Sequence, residues 1–207
     1  HYATLGSEPN LTVPAQRLLV GQRPGVRRYQ VWDGFDCIAI GCRLPELEAN
    51  YYGNSPLWSD LLAEHDRYLT VSGNVLVAAP LLATGRRHLI WCASTVRGDR
   101  ADRQLAMSPP RGAYDRLIVS PLLHRLERRV LAGSGTLATI STGSADALRK
   151  AGMTAGKKID VLPIPVDSTR FSPPIATPRP GVVGIAGRHT DPRKNAGLAL
   201  DAVAKAR

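Results

Sequence analysis

Apolar runs of strand length fall at residues 35–40, 68–71, 88–93, 136–140, 159–163 and 182–186. Between several of them, at 57–64, 75–83, 122–131 and 145–150, apolar residues recur at helical spacing. Parallel strands need crossover connections, and helices of this length supply them. From about residue 29 the pattern therefore predicts an α/β fold, a Rossmann-like parallel sheet with crossover helices. Four prolines lie between Phe171 and Val182, which marks residues 170–180 as an inter-domain linker. Residues 1–175 are expected to form part of one Rossmann-like domain. Residues 176–207 are expected to hold the linker and the first β-α unit of a second.

The segment from Gly181 to Gly197 carries the most pointed chemistry. An apolar strand (Val182, Val183, Ile185) runs into Gly187 and Arg188, and a helix is expected directly after them. Asp191 suits its N-cap and Pro192 its first helical position, and Ala196, Ala199, Leu200 and Val203 form an apolar stripe. Arg193 and Lys194 then fall in the first turn, where the helix dipole disfavours cations. A diphosphate between them and Arg188 would relieve that repulsion, with free helix N–H groups adding to the grip. The alternative is a solvated loop whose cations point into water.

Composition narrows the partners. The net charge is +10, from 27 basic and 17 acidic residues, so an anionic counterpart is expected. Aromatics make up only 5% and do not interleave with the basic residues, which argues against a nucleic-acid stacking platform. No run approaches eighteen apolar residues and no signal-peptide pattern opens the chain, so no membrane span is expected, and three cysteines expected to be reduced favour a cytoplasmic setting. Cys37, Cys42 and Cys92 are too scattered for a disulfide framework or a zinc site. His1 in place of Met, and a last helix that stops near three turns, read as cut ends of a fragment.

Other motifs are weaker. Gly133, Gly135 and Ala138 match G-x-G-x-x-A, but after a helix and before a strand, so the run reads as a helix stop. No Walker A, G-x-S-x-G or Asp-x-Asp sequence is present, and the histidines lack metal-ligand spacing. No metal or cofactor is expected. Residues 98–103 are charge-rich and read as a solvated loop, though Asp99 lies just beyond a strand's C-terminal end, where open α/β sheets place ligands. The acidic-aromatic stretch 44–54, with Glu46, also follows a strand end and could contact substrate or be plain loop. Residues 121–132 form a basic amphipathic helix, with Arg125, Arg128 and Arg129 opposite Leu122, Leu123, Leu126 and Val130. Such a helix covers a sheet or lies on an anionic membrane.

Three blocks in order resemble the domain junction of family-4 GT-B glycosyltransferases. Ser141 ends a strand and precedes a helix and Gly152. Pro163, Val166, Asp167, Phe171 and Pro173 follow the family's P-N-G-V-D-x-x-x-F-x-P segment, with Ile164-Pro165 in place of Asn-Gly. Gly187, Arg188 and Lys194 match its glycine-arginine, five residues, lysine signature. Residues 30–135 fit only loosely, as the later part of an N-terminal acceptor domain. The resemblance implies metal-independent transfer, with retention, from a nucleotide-diphosphate sugar to a carbohydrate, lipid-linked or small-molecule acceptor. In it Gly187, Arg188 and Lys194 bind the donor diphosphate, Asp99 and Glu46 are acceptor-side candidates, and the chain alone would be inactive. The alternative is a non-catalytic α/β protein docking on anionic membranes; peripheral contact at the inner membrane face suits either reading.

Overall fold

The computed structural model describes residues 1–206 except 5, 32, 33, 54, 106, 134, 152, 153, 155, 173–180 and 188–193, and only the backbone at 102 and 105. Strands β1 (Val26–Val31) and β2 (Phe35–Ile40) pair antiparallel, with Val26 opposite Ile40 and Val31 opposite Phe35. The pattern predicted β2 but not β1, because β1 carries Arg27, Arg28 and Gln30 and shows no apolar run. Parallel pairing here was also wrong, since so short a connection between the strands reaches only an antiparallel neighbour.

Strands β3 (Tyr68–Ser72), β4 (His88–Cys92), β5 (Thr136–Thr139) and β6 (Ile159–Val161) form a four-stranded parallel sheet in chain order. Right-handed crossovers that always step in the same direction leave their connections on one face of the sheet. The packing agrees: Ile90, Cys92, Leu137 and Ile159 meet residues from three connections in one core. Those are Val75, Ala78 and Ala79 of the 3-10 helix Val75–Thr84, Val130 and Leu131 of α5 (Ser120–Ala132), and Ala145 and Leu148 of α6 (Thr142–Lys150). The opposite face is open at β3, where Leu69 and Val71 are 60% and 59% exposed. There the indole N–H of Trp91 donates to the Leu162 carbonyl at 2.9 Å, reaching past its small register partner Ala138.

Proline shapes two of the connections. Pro80 has no N–H and clashes with the carbonyl four residues back, and the expected α-helix over 75–83 winds as the tighter 3-10 form. Pro121 acts on the long helix made of α4 (Pro109–Tyr114), a π-helical turn (Asp115–Val119) and α5. The wide turn lies just ahead of it, with the Ser120 N–H reaching five residues back to the Asp115 carbonyl.

Residues 98–103 are helical rather than loop: α3 spans Val96–Leu105. Its start is held by two side chains from outside its own apolar pattern. Thr95 Oγ1 accepts the Gly98 N–H at 3.0 Å, and Glu127 of α5 accepts the Val96 N–H at 2.7 Å. The helix stop at Gly133 forms, but with φ −66° it is not a left-handed cap. Close packing is the reason for glycine here. A Cβ on Gly133 would lie 2.6 Å from Leu82 Cδ2, and one on Gly135 would lie 2.5 Å from His88 Nε2. Gly135→Ala should therefore overpack the buried His88–Ile90 corner and cost about 1–3 kcal/mol, read from urea unfolding.

Residues 182–186 form no strand among the described residues, and Val182 and Val183 are largely exposed. A lone extended segment has no ladder to satisfy its backbone groups, so solvent takes them. The helix of that unit does form, as α7 (Ala196–Lys205), with no residue fully buried.

Candidate functional site

Loops at the C-terminal ends of the strands build a stitched rim. After β3, the Gly73 carbonyl accepts the Ser94 N–H at 2.8 Å, and Asn74 Oδ1 caps the 3-10 helix through the Leu76 N–H. After β4, the Ala93 carbonyl accepts a hydrogen bond from Ser144 Oγ at 2.6 Å. Ser141, after β5, is the N-cap of α6 and accepts the Ser144 N–H, so the serine that ends a strand also starts the next helix. Open parallel sheets bind ligands at this end.

Asp99 sits on that rim. Its Oδ2 accepts from Asn74 Nδ2 at 3.4 Å and from Arg103 at 3.2 Å, one turn along α3. A Cβ on Gly73 would lie 3.8 Å from Asp99 Oδ1, so the glycine leaves the carboxylate room beside the β3 loop. The Tyr52 phenol nearby is pushed up to about 12 by burial and then by the Glu48 carboxylate, so it stays a neutral donor at physiological pH. Glu46 is engaged elsewhere: its Oε1 accepts the Ala15 N–H at 3.0 Å and caps the short helix α1 (Ala15–Leu18).

Of the expected phosphate clamp, Gly187 and Lys194 are described, while Arg188, Asp191, Pro192 and Arg193 lie outside the described residues. Gly187 has φ +153°, a conformation that L side chains rarely adopt. A Cβ built on it would meet Lys194 Cγ and Cδ, each at 3.6 Å, so the lysine stem lies along the glycine. Lys194 does not sit in the first turn of α7 as expected. That helix begins at Ala196, after a left-handed Asn195 (φ 46°) whose side chain makes no cap. Among the described residues no side chain caps the first-turn N–H groups of this helix, which follow directly on Lys194. Downstream of β6, Asp167 accepts from Thr169 Oγ1 and from the Thr169 and Arg170 N–H groups, and these bonds hold its carboxyl below the usual carboxylate range.

One polar network was missed in the sequence. Arg100, 4% exposed, pairs with Glu48 and Asp115. Gln104 Nε2 donates to Asp115 Oδ2 at 2.7 Å and to Ser120 Oγ at 2.9 Å, and Ser120 Oγ donates to Asp115 Oδ2 at 3.1 Å. A charged run without an apolar stripe reads as solvated loop. The available signal was Arg100 and Gln104 one turn apart on the side of Val96.

The Cys92 thiol is pushed up to about 12 by burial and then by Glu127, and Cys42 to about 11 by burial and then by Glu46. Neither is a thiolate nucleophile near neutral pH. The basic helix has spent its apolar side, since Leu123, Val130 and Leu131 are in the core while Arg125, Arg128 and Arg129 face water. Among the described residues no helix is long and apolar enough to cross a membrane.

Set against known proteins, the chain matches no family model, no curated protein and no solved structure. The rim, the clamp segment and the buried network belong to an α/β protein built on a four-stranded parallel sheet, Rossmann-like in its strand-helix alternation.

Proposed function

We propose that the chain is part of a retaining, metal-independent GT-B glycosyltransferase that uses a nucleotide-diphosphate sugar. One observation carries the reading: the Lys194 stem lies where a side chain on Gly187 would project, two matched positions of the clamp signature, beside helix N–H groups that no described side chain caps. The junction blocks upstream support it through their order along the chain. In this reading the glycosidic bond breaks with negative charge growing on the departing diphosphate. Arg188, Lys194 and the first-turn N–H groups of α7 stabilise that charge where it develops. Asp99, on the sheet rim, is the acceptor-side carboxylate, and the acceptor is a carbohydrate, a lipid-linked sugar or a small molecule.

Titration calorimetry of the intact protein with UDP, GDP and ADP tests the reading. One of the three should bind saturably, and Arg188→Ala and Lys194→Ala should each weaken it by tenfold or more, since a charge-assisted bond contributes about 1.5–3 kcal/mol. Absence of uptake for all three nucleotides, or unchanged affinity in both variants, removes the proposal.

A further inference from the structure

A cavity of about 330 Å³ opens between α3, the π-helical turn and the start of α5, lined by Arg97, Arg100, Gln104, Arg116, Ser120 and His124. No carboxylate lines it among the described residues. Arg97 and Arg116 are exposed at its mouth, and their guanidinium groups make no hydrogen bond or ion pair with any described residue. Arg100 forms the floor. Its terminal nitrogens are held by Glu48 and Asp115, while its Nε is buried without a partner. His124 donates through Nδ1 to the Ser120 carbonyl at 2.8 Å, so Nε2 of the neutral ring faces other partners as an acceptor.

Glu48 and Asp115 already neutralise Arg100, so the uncompensated charge at the hollow is that of Arg97 and Arg116, two cations that an anion between them would relieve. A phosphoryl group suits this arrangement, because its terminal oxygens can engage the Arg97 and Arg116 guanidinium groups together. The cavity exceeds the phosphate itself, leaving room for an organic substituent. The π-helical turn makes the site, since the wide turn sets Asp115 inward against Arg100 and leaves Arg116 outside.

We propose that this cavity binds the phosphoryl group of a phosphomonoester, carried either by a soluble molecule or by a lipid headgroup. The proposal does not depend on the transferase reading.

Calorimetry with inorganic phosphate, in a Lys194→Ala background that silences the clamp, should give saturable uptake at one site. Arg97→Gln and Arg116→Gln, both at exposed positions, should each weaken it about tenfold, and the double variant should abolish it with an unchanged circular dichroism spectrum. Glycerol 3-phosphate that competes with phosphate while phosphatidic acid vesicles are ignored identifies a soluble ligand. Vesicle binding that phosphate competes away, and that phosphatidylcholine vesicles do not show, identifies a headgroup. No saturable phosphate uptake, or uptake that survives the double substitution, overturns the proposal. Nucleoside diphosphate uptake that the double variant keeps and Lys194→Ala loses reports the clamp alone, so loss of the clamp reading would leave this site standing.

Discussion

Arg100→Leu should lower the stability of the protein by about 3–5 kcal/mol at neutral pH, a fall in Tm of roughly 10 °C or more. The arginine is buried between Glu48 and Asp115, and removing it leaves two carboxylates facing each other with their cation gone. The leucine itself packs well enough; the loss comes from the stranded charges. Acid makes the argument specific. Burial works against the Asp115 carboxylate, but the Gln104 hydrogen bond, then the Arg100 charge and hydrogen bond, hold its pKa below the usual value. A depressed carboxyl contributes stability above its unfolded pKa and loses it as the pH falls through the folded pKa. The deficit of Arg100→Leu should therefore shrink when urea unfolding at pH 7 is repeated near pH 3. A deficit that is equal at both would mean that lost packing, not charge, is responsible.

Glu127→Ala should cost about 2–4 kcal/mol, since it strands the Val96 N–H and empties a fully buried position of α5. Glu127→Gln is the sharper variant. Its oxygen can still accept the Val96 N–H, and it removes a charge that burial opposes. Burial pushes the Glu127 carboxyl upward, more than the Val96 hydrogen bond and the nearby His124 pull it down. An acid with a raised folded pKa contributes stability below its unfolded pKa and loses it as the pH rises through the folded value. Relative to wild type, Glu127→Gln should thus gain stability as pH rises from about 4 to 8. A pH-independent difference in urea midpoints would show that the carboxyl titrates alike in the folded and unfolded chain. The two sites act in opposite directions on pH, so each difference from wild type has its own sign.

Much of the scaffold can be read along the chain. Strands β3 to β6 are short apolar runs, and the connections between them are long enough to cross the sheet. The serine cap at Ser141 and the stop after Ala132 follow from local chemistry. The exceptions have local reasons too: β1 hides behind its arginines, and Pro80 and Pro121 sit beside changes of winding that an apolar count does not register. The clamp is visible only as spacing. The sequence marks Gly187 and Lys194, and the structure adds that the lysine stem fills the place a Gly187 side chain would take.

Apolar periodicity, connection length and capping residues each depend on near neighbours, and they were sufficient for the α/β class, the parallel sheet and most of its helices. Burial of a charge does not depend on near neighbours. Arg100 meets Glu48 from 52 residues away, and Glu127 caps α3 from 31 residues away. Neither is distinguishable from a solvated charge until the chain has folded, because only then do the helices exclude water from one side of each group and bring its partner to the other.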